Sequence, residues 1–272
     1  MRHQPVYDTQ FFFSTAPMPC PYRSGRLERR LVTELIGRGA QILHEQLSLA
    51  GFRRSHGIAY TPVCNGCDAC KAVRVIAKDF KPSKLQRRVW NRNCHLSVMI
   101  VDPIATQEQY SLFLAYQRAR HSDGDMAKMD IDEYRGLIED SSVETVLIEF
   151  RNSDDGKLVA ICLTDRMEHG LSAVYSFFDP DLKSDSLGSY MILWLIKEAV
   201  QAGLDYVYLG YWISGCGKMD YKAKYQPMEV LVANTWLQLR PGEFNNEDYY
   251  EMQNGSLTPA HVPINLTFDE IK

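Results

Sequence analysis

From residue 97 onward the apolar positions switch between two periods, and the switches divide the chain into elements. Residues 97–101 are strand-like. Thr106 followed by Gln109 is a capping-box pair, and it opens an amphipathic helix that runs to about Arg120. Residues 131–138 carry a further helical pattern. Strand patterns follow at 145–150, at 157–163 after the turn residues Asp155 and Gly156, and at 171–178. Residues 186–202 are apolar nearly all round, which predicts a buried helix stopping at Gly203. Strands at 205–211 and 229–239 complete the set, and a polar tail follows Arg240.

The front of the chain is less regular. Residues 1–25 read as an extended lead-in holding Pro5, Pro17, Pro19 and Pro21. Over 29–49, Leu31, Val32, Leu35, Ile36, Ile42, Leu43 and Leu47 recur at helical spacing, and Gly37 and Gly39 leave one helix or two short ones equally open. A turn and strand are predicted over 51–60 and a short strand over 72–76. Residues 82–93 predict a basic helix capped at Ser83. There is no internal repeat. The pattern divides into a basic, cysteine-containing region over 1–100, an α+β domain over 101–240 and an extension over 241–272.

Charge sharpens that division. The 272 residues carry a formal net charge of -4, but residues 1–100 hold 16 Lys+Arg against 6 Asp+Glu, and the remainder 14 against 28. A basic front and an acidic rear fit a polyanion-binding face joined to a body of another kind. No apolar run approaches the length of a membrane span, and the stretch before Ser14 is too short for a signal-peptide core. With seven cysteines, an odd count, a reduced, cytoplasmic setting is expected rather than a disulfide framework. Neither DNA nor a membrane is an expected partner.

Three clusters carry candidate chemistry. Cys64, Cys67 and Cys70 stand at CxxCxxC spacing, and with Cys20 as a fourth ligand they would suit zinc or an iron–sulfur cluster; three thiols packed at a seam is the equal alternative. Lys81, Lys84, Arg87, Arg88 and Arg92 surround Trp90, combining phosphate-seeking cations with one stacking surface; a solvated helix face is the plainer reading. The stretch 209–222 delivers Tyr211 and Trp212 to a loop with Gly215 and Gly217, followed by Lys218 and Lys222. Its exposed amides could hold an oxyanion, though taken alone a tight loop with packed aromatics is the better-supported reading. Arg53 and Arg54 are adjacent, so in a strand they would face opposite sides, one toward a carboxylate ligand and the other toward RNA or solvent.

The segments GFRRS, YTPVCNGCDAC, KAVRV, FKPSKLQRR, RHSDGDM, YSFFDP, SLGSYMILWLI and YVYLGYWISGCGKMDYKAKYQP occur in that order between about residues 18 and 238. Together they resemble the aminoacyl-tRNA–protein transferase family, most closely its bacterial leucyltransferase branch. The resemblance implies a GNAT-like α+β fold with a mixed sheet that splays to admit the acyl donor. It implies an enzyme of the N-degron pathway of protein catabolism. Such an enzyme moves leucine or arginine from aminoacyl-tRNA to the α-amine of proteins beginning with Asp or Glu, and needs no cofactor for transfer. On this reading Arg53, Arg54 and Arg74 are candidates for the acceptor carboxylate. Tyr175, Ser176 and Tyr211 would guide the reaction at the sheet split. Lys218 and Lys222, with the cations of residues 81–92, would hold tRNA. The relatives' metal-binding cysteines fall near Cys20, Cys64 and Cys67, but this chain lacks both their CxxC at Cys20 and their adjacent cysteine pair. Two other readings stay open. One is a coenzyme-A-dependent acetyltransferase, against which the missing pyrophosphate loop before Ser186 counts. The other is a non-catalytic RNA-binding or redox-sensing module.

Overall fold

Each strand that the sequence pattern marks between residues 145 and 212 is present, and the helices from Lys84, Gln107 and Ile131 begin at side-chain caps. The computed structural model describes residues 10–239; the expectations for residues 1–9 and for the extension from 240 lie outside the described residues. In chain order, three two-residue strands, β1 (Phe13–Ser14), β2 (Met18–Pro19) and β3 (Leu27–Glu28), precede β4 (Arg30–Glu34) and α1 (Ala40–Leu49). β5 (Arg53–Ser55) and β6 (Ile58–Pro62) form a hairpin, and β7 (Lys71–Ile76) leads to α2 (Lys84–Asn93). β8 (Ser97–Val101) is followed by α3 (Gln107–Arg120) and α4 (Ile131–Glu139). The strands β9 (Thr145–Arg151), β10 (Leu158–Met167) and β11 (Gly170–Phe178) form a meander, α5 (Leu187–Gln201) crosses over, and β12 (Tyr206–Trp212), β13 (Met228–Val232) and β14 (Thr235–Gln238) are the last elements of the described residues.

The fold is α+β, built on an eight-stranded mixed sheet in the order β14-β13-β7-β12-β11-β10-β9-β8. Among the described residues its one parallel pair is β11 with β12, joined through α5 as a crossover requires. Strand alternation sends Leu147, Ile161, Leu163 and Phe177 into a core with Phe113 of α3 and Tyr134, Leu137 and Ile138 of α4. Phe150 points the other way, with ring centroids 5.7 Å from Tyr190 and 5.8 Å from Trp194 of α5. A second sheet, β1-β4-β6-β5, packs Leu35, Phe52 and Ala59 against Ala40 and Leu47 of α1. β7 comes from the basic front region yet is an interior strand of the large sheet, so residues on both sides of position 100 build one sheet.

Two local expectations are corrected. Residues 30–34 are a strand rather than a helix, because β6 supplies a pairing partner for Leu31 to Glu34 and only Thr33 of the run is fully enclosed. The single strand expected over 229–239 is a hairpin, turned at Ala233 and Asn234, which both adopt positive φ (46° and 60°). Two left-handed residues in sequence match the twist of the strands they join.

Candidate active site

The large sheet opens between β11 and β12. These strands pair only at Gly170–Tyr206, Leu171–Val207 and Ser172–Tyr208, although β11 continues to Phe178 and β12 to Trp212. Irregularities in register promote the divergence, one between Leu163 and Thr164 in β10 and one between Tyr208 and Gly210 in β12. Arg53 fills the wedge where pairing stops. Its Nη1 donates to Ser172 Oγ at 3.2 Å and its Nη2 to the Ala173 carbonyl at 2.7 Å, replacing the ladder bond that β12 no longer makes. Gly210 lies on the other side with φ of 78°, and a Cβ there would stand 3.3 Å from Arg53 Nε. Only glycine combines that backbone angle with so close an approach.

Beyond the wedge lies a cleft of about 410 Å³. Arg53, Arg54, Tyr175, Ser176, Tyr211, Lys218 and Lys222, all singled out from the sequence, line it together. Ile192 of α5, Leu209 of β12 and Met219 supply apolar wall. The cleft runs along the unpaired edge of β11, so consecutive residues of that strand both reach it.

The tyrosines differ in what they can offer. The Tyr175 hydroxyl accepts from Gln117 Nε2 at 2.6 Å, and burial pushes its ionisation up to about 12. Its own proton remains available to the cleft. The Tyr211 hydroxyl lies 3.0 Å from the carbonyl oxygens of both Gly51 and Tyr60 and so is engaged by the backbone; burial raises its pKa. Lys222 Nζ donates to the Tyr211 carbonyl at 2.6 Å, and burial, reinforced by nearby Arg53, lowers its pKa to about 7. Lys218 is exposed at the rim near His121, whose pKa falls through burial and then through Lys218 and Arg120.

The three arginines proposed for a carboxylate ligand separate clearly. Arg54 is only 5% exposed and already holds one: Asp165 takes Nε and Nη2 at 2.7 Å each. His44 Nε2 stands 3.2 Å from the same carboxylate. Burial pushes the Asp165 carboxyl up, but His44 and Arg54 outweigh it and hold the group at about 2. Arg54 therefore faces neither solvent nor RNA. Arg74 pairs with Glu229 at 2.7 Å, is sandwiched between Tyr206 (3.6 Å) and Trp236 (4.2 Å), and is not among the cleft residues. Arg53 has no carboxylate partner among the described residues.

The basic helix expected from Pro82 is α2, with the full Ser83–Gln86 capping box. Lys81, Lys84, Arg87, Arg88 and Arg92 are exposed on it or just before it. The opposite face seats Trp90 against Tyr190, with centroids 5.3 Å apart. Gln86 ties the helix to the cleft loop by donating to the Lys224 carbonyl at 3.1 Å.

Cys20, Cys64, Cys67 and Cys70 do converge, on a cavity of about 30 Å³. Two of the thiols also contact other groups. Cys64 Sγ accepts from the Arg29 amide at 3.4 Å, Cys67 Sγ lies 3.9 Å from Arg23 Nη1, and burial followed by the neighbouring thiols pushes Cys70 up to about 12. Among the described residues no group of three or more His, Cys, Asp or Glu side chains is arranged to hold a metal ion, so the zinc or iron–sulfur expectation is not met.

Several cleft residues had no sequence signal: Tyr22, Tyr60, His121, Ile192 and Met219 all line it. Asp165 did carry one, as the single acid ending the apolar run from Leu158 to Thr164.

Residues 18–88 match the family model for the arginine-tRNA-protein transferase N terminus, and residues 108–232 the model for its C terminus. The chain is therefore a member of the arginine-tRNA-protein transferase family, whose members are aminoacyl-transferring enzymes. Within that class it is 55% identical over 243 residues to the aspartate/glutamate leucyltransferase of Paramagnetospirillum magneticum, covering 89% of this chain and 99% of the relative. Over 245 residues it is 48% identical to the aspartate/glutamate leucyltransferase of Granulibacter bethesdensis, covering 90% and 91%. Among solved structures it is similar to FemX, at a TM-score of 0.46 and 9% identity over 79% of this chain and 71% of that one. No helix among the described residues is long and apolar enough to cross a membrane.

Proposed function

We propose that this chain transfers leucine from aminoacyl-tRNA to the α-amine of proteins whose first residue is Asp or Glu, acting as a cytoplasmic N-degron enzyme through a GNAT-like cleft. The observation that carries the reading is the lining of the split: Arg53 and Lys218 contribute cations without a carboxylate partner, and no Asp or Glu lines it among the described residues. A cleft of that sign attracts an acidic acceptor and repels an arginyl side chain, while Ile192, Leu209 and Met219 suit a leucyl one.

An aminoacyl ester is already activated, so no covalent enzyme intermediate is required. The enzyme must bring an uncharged amine to about 3–3.5 Å from the ester carbon. It must also stabilise the oxyanion that forms there. In this proposal Arg53 holds the acceptor's side-chain carboxylate with N–H groups not used on Ser172 and Ala173. Tyr175 and Ser176 donate toward the oxyanion, and Tyr211 fixes the wall through its backbone bonds. Lys218 meets the 3′ end of the tRNA, whose phosphates run onto Lys81, Lys84, Arg87, Arg88 and Arg92. Arg54 and Arg74 shape the fold around the acceptor rather than contact it.

The test is a matrix of labelled Leu-tRNA and Arg-tRNA against Asp-, Glu- and Ala-initiated peptides, read by mass. Leucine is expected on the first two peptides only. Transfer from acetyl-coenzyme A instead, or RNA binding with no transfer, would replace this reading with one of its rivals.

A further inference from the structure

We infer that Lys222 is the catalytic base of the transfer, taking the proton from the acceptor's α-ammonium group deep in the cleft. The inference rests on the function proposed above and adds the group that moves the proton.

Position comes first. Lys222 lines the cleft, and its Nζ is pinned to the Tyr211 carbonyl at 2.6 Å. The residue before, Gly210, is the one on which Arg53 rests. Arg53 and Lys222 thus flank consecutive residues of β12 at the point where the sheet opens. An acceptor whose side-chain carboxylate sits on Arg53 carries its α-nitrogen only a few bonds away, on the side where Lys222 stands. The bond to Tyr211 uses one N–H of a neutral lysine and leaves its lone pair for the cleft.

The alternatives narrow quickly. No carboxylate lines the cleft among the described residues, and Asp165 is fully buried behind Arg54. Burial raises Tyr22, Tyr175, Tyr211 and Tyr221 rather than lowering them, so none of these is a base near neutral pH. His121 stands exposed at the mouth, its ring 5.8 Å from Tyr116 and close to Lys218 and Arg120. The charged and titratable groups around Lys222 are Arg53 from β5 and the Cys70 thiol before β7, with Lys218, Tyr211 and Tyr221 sharing its cleft. Burial and Arg53 lower its pKa to about 7, so a substantial fraction is neutral at working pH.

The protons balance as follows. The α-ammonium gives one proton to the Lys222 amine. The freed α-amine attacks the ester carbon, and a C–N bond forms as the carbonyl oxygen takes the negative charge. Collapse breaks the bond to the ribose oxygen, which leaves as a hydroxyl after receiving the second proton of the attacking nitrogen. The proton on Lys222 returns to solvent, so each turnover releases one.

Leucine transfer from Leu-tRNA to an Asp-initiated peptide, followed from about pH 5.5 to 9, tests this for the wild type, Lys222→Ala, Lys222→Arg and His121→Ala. The wild type should show a rising limb centred near neutrality. Both Lys222 variants should lose about 100-fold in kcat/KM and lose that limb, with affinity for tRNA within about twofold, and methylamine should restore part of the Lys222→Ala rate. The arginine variant separates a base from a tRNA anchor, since it keeps the cation but cannot accept the proton, and it serves alone if the alanine variant fails to fold. Near-wild-type rates in Lys222→Arg, or a limb that survives there and vanishes in His121→Ala, would overturn the assignment. A wild type inactive on every donor and acceptor would overturn the proposed function itself, and Lys222's role with it.

Discussion

Arg53 has two tasks at one atom group: it closes the hydrogen-bond deficit left where β11 and β12 part, and it presents a cation to the cleft. Arg53→Ala is expected to cut kcat/KM for Asp- and Glu-initiated peptides by about 10- to 100-fold, the worth of a charge-assisted hydrogen bond, with little change for an Ala-initiated peptide. Equal losses on all three peptides would reduce Arg53 to a structural wedge. Asp165 shows the opposite use of charge. Its carboxyl is held at about 2, below the ordinary carboxylate range near 3.9, so the stability it contributes is fully present above that range and is lost as pH falls through about 2. Asp165→Asn should cost about 3–5 kcal/mol at neutral pH, because Arg54 is left buried and unpaired. It should also flatten the acid limb of a denaturant titration taken between about pH 4 and pH 2. An unchanged acid limb in the variant would mean that other carboxyls set it.

At the scale of elements, capping chemistry was the most readable signal. Thr106–Gln109 and Ser83–Gln86 both form the reciprocal bonds that their spacing implies, because those contacts are local. Elements decided by distant partners were not readable. The apolar pairs at Leu31–Val32 and Leu35–Ile36 fit a helix as well as a strand, and β6 decides between them. The hairpin at Ala233–Asn234 lacks the glycine that would mark it. The site divides likewise. Tyr175, Ser176, Tyr211, Lys218 and Lys222, singled out from two separate stretches of sequence, line one cleft. That Arg54 and Arg74 are satisfied within the fold depends on Asp165 and Glu229, far away in sequence. For α2, removal of the exposed charges at Lys84 and Arg88 should weaken tRNA binding and lower the slope of log affinity against log salt by about one per residue. Leucine transfer at saturating tRNA should persist. An unaltered salt slope would make this a solvated face rather than a docking one.

Across the whole molecule, an eight-stranded sheet that draws strands from both the basic front and the acidic rear places a cationic cleft where its one parallel pair comes apart. On the proposed reading the same lining would give two selectivities: an apolar wall with no carboxylate among the described residues for the aminoacyl side chain, and Arg53 for the acceptor. In competition between Leu-tRNA and Arg-tRNA, leucine should therefore dominate the product, and Met219→Glu should shift the ratio toward arginine. The most direct measurement is kcat/KM of the wild type on two peptides differing only in an Asp or an Asn first residue, which have the same shape but not the same charge. About 10- to 100-fold preference for Asp is the expected result. Equal efficiency on the two would contradict the claim that charge at the sheet split selects the acceptor.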